Sequence, residues 1–140
     1  MRRLLIPFDG SDSSLHALQY AIDLARDKFV HELEVLHVGN PMPIGTHGMM
    51  THEEIAHREA NEAGRILQPA RALLEAAGIS YQVRSRTGTP ANEIAKQVKE
   101  GDCDGIVMGT RGLGSIASMM MGSVASRIVA TVDVPVTLVK

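Results

Sequence analysis

The chain of 140 residues contains no tryptophan, two tyrosines, two phenylalanines and a single cysteine. With aromatics at 3%, there are too few rings to build a stacking platform for single-stranded nucleic acid. A formal net charge of −2 supplies no basic surface for a polyanion, so nucleic acid is not an expected partner. Cys103, alone, has no internal disulfide partner, which suits a reducing cytoplasm. Its place at the start of a predicted strand reads as packing. No apolar run approaches the length of a membrane-crossing helix, so no membrane association is expected. After Arg2 and Arg3 only Leu4 to Phe8 are apolar before Asp9, too short a run for the apolar region of a signal peptide. The expectation is one cytoplasmic domain, residues 1–140, burying about two-thirds of its unfolded surface.

Lysine is also missing, between residues 101 and 139, around the stretch where glycine is abundant. Residues 109–123 read Gly-Thr-Arg-Gly-Leu-Gly-Ser-Ile-Ala-Ser-Met-Met-Met-Gly-Ser. Gly105 to Met108 before it reads as the end of a buried strand. Val124, Ile128 and Val132 after it recur every fourth residue, as a helix stripe does. A glycine-rich loop therefore runs from a strand end to a helix N-terminus at Gly122-Ser123. The first turn of a helix has N–H groups without internal partners and the positive end of the dipole, which together favour an anion. Glycine allows the backbone close to a ligand, and Gly122 is expected to need that freedom, a positive φ included. Without a lysine before the hydroxyl this is not a Walker loop. Gly109-x-x-Gly112-x-Gly114 is not a dinucleotide fingerprint either.

The remaining periodicity builds a sheet. Leu4 to Phe8 is a continuous apolar run, the mark of a strand covered on both faces. It ends in Asp9-Gly10-Ser11-Asp12-Ser13-Ser14, rich in turn and cap residues, before a helix carrying Leu15, Leu18, Ile22 and Ala25. A second strand spans Leu33 to Val38, apolar apart from Glu34 and His37. A long helix covers 53–77, bent or broken by Pro69 and ended by Gly78. Tyr81 to Arg86 alternates polar and less polar residues, as an edge strand does. Thr89 caps a helix with Pro90 at its first position, and Gly101 ends it. A fourth strand, Asp104 to Met108, and a fifth, Val134 to Val139, flank the glycine loop and the last helix. Strands alternating with helices give an open, doubly wound α/β sheet, parallel, with helices on both faces.

The loop resembles the universal stress protein family. Its nucleotide-binding members carry Gly, two residues, Gly, nine residues, then Gly followed by Ser or Thr. Gly109, Gly112, Gly122 and Ser123 stand at that spacing. The resemblance implies a five-stranded, Rossmann-like sheet of order 3-2-1-4-5, an ATP-binding regulator of the stress response, and a homodimer. In such sheets ligands bind at the switch point beyond the carboxyl ends of the strands, here next to Asp9-Gly10-Ser11 and Gly109 to Gly112. Carried over residue by residue, Pro7, Phe8 and Met108 would line the base and ribose pocket, with Asp9 and the backbone around Val38. Gly109 would meet the ribose. Gly112, Gly122, Ser123, Val124 and Ala125 would give mainly backbone bonds to the phosphates, and Ala125 lacks a hydroxyl that relatives often carry there. A carboxylate would repel phosphate, so Asp9 suits the base or ribose side; its other reading is the cap of the first helix. With few side-chain cations in the loop, Mg²⁺ or Mn²⁺ would supply the missing charge.

No set of catalytic groups stands out: there is no lysine to reach phosphates and no base for a water. The resemblance implies slow ATP hydrolysis at most. A Ser-Gly-Gly-type loop after the first strand, found in the related adenine-nucleotide hydrolases, is replaced here by Asp9-Gly10-Ser11-Asp12-Ser13, and a nucleotide-free scaffold would not need an intact glycine loop. Arg111 reads equally as a phosphate contact or a solvated residue, and Arg127 as surface or interface. His47, His52 and His57 are spaced by five, which puts the last two about 140° apart on a helix, unlike a metal-binding pair; they read as solvated. Met119 to Met121 reads as packing or a partner surface. The apolar strand 134–139 at a sheet edge invites a second copy, and a separate protein partner is left open.

Overall fold

The computed structural model of the chain describes residues 1–41, 48, 50–111 and 121–140. The elements follow as β1 (Arg3–Pro7), α1 (Asp12–Arg26), β2 (Glu32–Gly39), α2 (His52–Ala77), β3 (Tyr81–Thr87), α3 (Pro90–Glu100), β4 (Gly105–Gly109), α4 (Ser123–Thr131) and β5 (Val136–Val139). The strand order is β3-β2-β1-β4-β5, and every pair is parallel. This is the order implied by the resemblance. The chain winds outward from β1 through β2 to β3, then returns to place β4 on the other side of β1. The chain thus leaves β1 and β4 toward helices on opposite faces of the sheet, at the switch point.

Successive side chains of a strand point to opposite faces. Leu4, Ile6, Leu33, Val35 and Val107 pack on one face against Leu18, Ile22, Leu67 and Leu74 of α1 and α2. Leu5, Leu36, Ile106 and Met108 pack on the other against Ile94, Val98, Ala125 and Ile128 of α3 and α4. A strand covered on both faces must be apolar at every position, hence the uninterrupted run of β1. Burying one such Leu or Ile side chain is worth about 1.5–3 kcal/mol.

Glu34 breaks that rule: it is fully buried on the α3 face of β2. It survives because Gln97 of α3 donates to Oε1, and the guanidinium groups of Arg84 and Arg3 lie 3.2 and 3.7 Å from its carboxylate. An unpaired carboxylate there would cost several kcal/mol, on the order of the penalty for a broken buried pair.

Beyond one-residue shifts at element ends, three details differ from expectation. α2 runs unbroken through Pro69. Pro69 and Arg65, whose carbonyl loses its helical donor, are both exposed, so water can take the missing bond. β5 begins at Val136 and not at Val134, because Pro135 has no N–H to give the ladder, although its carbonyl accepts from Ile106 N–H at 2.9 Å. Thr89 occupies the cap position of α3, but its side chain makes no cap bond. Gly78 ends α2 in the left-handed conformation, φ 66°, as its position suggested.

α2 is longer than the sheet it covers. Its 26 residues extend about 39 Å, against about 26 Å for the eight residues of β2. Ala63, Leu67, Ala70 and Leu74 are buried, whereas Ala56 and Ala60 continue the same stripe past the sheet and are exposed. The amino-terminal third of α2 therefore overhangs the carboxyl ends of the strands.

Candidate functional site

The overhang, the strand ends and the start of α4 enclose a cavity of about 940 Å³. At the end of β1, Pro7, Phe8 and Asp9 line it. Gly10 turns the chain there with φ 84°, a conformation that favours glycine. Asp9 is not the cap of α1: Ser11 is, its hydroxyl accepting from Ser14 N–H at 3.2 Å. Asp9 Oδ1 instead accepts from Ser11 N–H at 2.9 Å and ties down the turn before the helix.

At the end of β4, Met108 and Gly109 line the cavity, and Gly122 N–H donates to Thr110 O at 2.5 Å. That bond joins the two ends of the glycine loop and brings the first turn of α4 beside β4. Gly122 is the N-cap of α4, with Ser123, Val124 and Ala125 following it along the cavity wall. A glycine has no side chain with which to cap, and the first turn carries no acidic residue. α1 and α2, by contrast, are capped by the hydroxyls of Ser11 and Thr51. The leading N–H groups of α4 thus meet the cavity with the dipole uncompensated. Val38, at the end of β2, closes the far side. Ten of the eleven residues assigned in the sequence to the nucleotide site therefore line one cavity. Gly112 lies outside the described residues.

One glycine differs from expectation, and another has a second role. Gly122 has φ −73° and ψ 167°, extended backbone open to any residue, so no positive φ requires glycine there. Gly109 is required by α1: a Cβ at that position would sit 2.8 Å from the Cβ and carbonyl carbon of Ser13. Ser13 Oγ in turn donates to Val139 O at 3.0 Å, so the first turn of α1 is wedged between β4 and the end of β5.

Sequence reasoning missed the wall opposite α4. Arg58, Glu59, Glu62 and Ile66 of α2 line the cavity, as do His37 and Thr87. Thr87 Oγ1 donates to Glu59 Oε2 at 2.7 Å, linking the overhang to the end of β3. Arg86, beside it, is held by Glu93, Gln97 and Glu100 at 3.2, 2.8 and 2.7 Å, and the bond to Glu100 is the main cause that raises its pKa. His37 is 6% exposed, and its Nδ1 finds no partner among the described residues. Burial pushes its pKa below the usual imidazole range, against the pull of Glu62 and Asp9, so the ring is neutral at neutral pH. The signal was an ionisable residue in an apolar strand next to Val38.

Arg111 is half-buried and lines the cavity, whereas Arg127 is exposed on α4. His52 and His57 are exposed on α2, and His47 and Met49 lie outside the described residues. Among the described residues no three His, Cys, Asp or Glu side chains converge as metal ligands. Met121 packs against the core between the sheet, α3 and α4, while Met119 and Met120 are outside the described residues. None of the described helices is long and apolar enough to cross a membrane.

The family model described as the universal stress protein family matches residues 1–140. A universal stress protein of Methanocaldococcus jannaschii, MJ0531, is 32% identical over 99% of this chain and 82% of its own length. Among solved structures, a universal stress protein in complex with cAMP superposes with a TM-score of 0.75, at 24% identity, over 99% of this chain and 97% of its own. A universal stress protein family protein of Arabidopsis thaliana with AMP bound superposes with a TM-score of 0.72, at 17% identity, over 100% of this chain and 92% of its own.

Proposed function

The chain belongs to the universal stress protein family, and from that premise we propose that it binds one adenine nucleotide, ATP, in the cavity and acts through its occupancy as a regulator of the stress response. The observation that carries this reading is the start of α4, which meets the cavity with no side-chain cap and no acidic residue in its first turn. Such a terminus favours a phosphate through its N–H groups and its dipole. From there the ligand crosses the end of β1 toward β2, two strand spacings or about 10 Å away. Pro7, Phe8, Met108 and Val38 supply apolar surface for a base, and Asp9 a carboxylate for a ribose or base donor, clear of the phosphates. Relatives of the same fold solved with cAMP and with AMP support an adenine nucleotide as the occupant. A divalent ion would be held by the phosphate oxygens, since the described residues bring no metal-binding trio together.

Gly122→Val tests the reading, because its extended φ accepts a valine without backbone strain while the side chain intrudes where the phosphates would lie. The variant should keep the circular dichroism of the wild type and lose ATP binding in calorimetry by at least about tenfold. Wild-type affinity in that variant would remove α4 from the site. In the wild type, chelating divalent ions should weaken ATP more than adenosine.

A further inference from the structure

His37 stands one residue before Val38 and lines the same cavity, yet its ring is buried. The ring lies under the last residue of β2: a Cβ at Gly39 would be 3.6 Å from His37 Cε1. Across the ladder its partner is Ser85, so β3 turns Ser85 and Thr87 toward this face and Arg84 and Arg86 toward the other. From the start of α1, only the uncharged Ser11 and Ser14 line the cavity. Charged residues line the cavity from α2, from the segment after β1 and, as Arg111, from the segment after β4. Asp9 follows β1, and Arg58, Glu59 and Glu62 belong to α2. Glu59 is engaged by Thr87, and Arg58 points its Nη1 toward Met50 Sδ at 3.9 Å. Asp9 and Glu62 are the carboxylates whose fields reach the imidazole.

A neutral ring tolerates an unpartnered Nδ1, because a bare lone pair is the cheaper group to bury. A protonated ring does not: Nδ1–H⁺ without an acceptor carries both a desolvation and a hydrogen-bonding penalty. The ring must then turn toward a carboxylate. We propose that His37 is a proton-sensitive element of the nucleotide site, in which acid turns the imidazolium toward Asp9 and Glu62 and so withdraws Asp9 from the ligand. The inference rests on the nucleotide reading of the cavity. Proton and nucleotide then exclude one another, and each must weaken the other by the same factor. The direction is fixed by the fold: burial already opposes the proton in the free protein, and a ligand that occupies Asp9 opposes it further.

Adenosine is the probe, since it has no phosphate that titrates near neutrality. Calorimetry in steps from about pH 7.5 down to about pH 4.5 should show the wild-type affinity falling, by up to about tenfold per pH unit once below the midpoint of the free ring, and this slope should vanish in His37→Asn and His37→Phe. In the wild type, the His37 ring followed by NMR should titrate at lower pH with adenosine bound than without, a readout independent of how the variants fold. A flat wild-type affinity, a slope that persists in both variants, or one titration midpoint with and without adenosine would each overturn the inference and leave nucleotide binding standing. Failure of the wild type to bind either adenosine or ATP at about pH 7.5 would overturn the nucleotide reading itself, and this inference with it.

Discussion

Gly109 and Gly122 belong to one sequence motif, and the structure gives them different reasons to be glycine. Gly122 has ordinary extended dihedrals and faces the cavity, so its lack of a side chain matters to a ligand. Gly109 is packed against Ser13 of α1, and its lack of a side chain matters to the fold. Gly109→Ala should therefore destabilise the protein without any ligand present, by about 1–3 kcal/mol in urea denaturation, the range for overpacking a tight contact. Stability equal to the wild type would mean that α1 gives way freely at Ser13. The spacing of the glycines was visible in the sequence; this division of labour was not, because Ser13 is remote along the chain and meets Gly109 only once β1 and β4 are paired. Cys103 matches its reading as a packing residue more closely. Burial, and then Glu34, push its thiol up to about 12, so it stays protonated at neutral pH and is a poor nucleophile.

At the scale of elements, apolar periodicity located the central strands and the helices, because each of them buries a face, while the partly exposed β3 was read from its polar alternation. The errors fell where an end is decided by a single backbone group. Pro69 was expected to bend or break α2, and no break occurs, since the carbonyl it deprives is on the exposed side. Pro135 shortens β5 to four residues. β5 is nonetheless the edge of the sheet beyond β4, with Leu138 37% exposed and Val129 of α4 48% exposed. An edge strand offers an unpaired row of N–H and C=O groups to another chain. We propose that two copies pair through β5, antiparallel about a two-fold axis. Leu138→Lys probes this with little disturbance of the core, and it should sediment as a monomer where the wild type sediments as a dimer. A dimer in both would shift the contact to another surface.

For the molecule as a whole, alternation of strands and helices was enough to give an open parallel sheet, and the resemblance supplied the strand order. The α4 side of the cavity was legible too, since its residues are neighbours along the chain or sit at strand ends. The α2 side was not. Nothing in the sequence sets Arg58, Glu59 and Glu62 apart from the other charged residues of α2, and they border the cavity only because the helix outruns the sheet. That excess length divides one helix into two regimes of protection. From Ala63 onward the backbone is fastened by buried side chains, while residues 52–62 rest on the cap at Thr51, the Glu59–Thr87 bond and the cavity below. Amides of the first segment should exchange with deuterium well before those of the second, at a rate set by local opening. If ATP fills the cavity, the same amides should slow on its addition while those of residues 63–77 do not change, and mass spectrometry of exchanged peptides would register the difference. Exchange that is uniform along α2, or indifferent to ATP, would separate the overhang from the site. Otherwise the front of α2 is where occupancy of the cavity becomes visible at the protein surface.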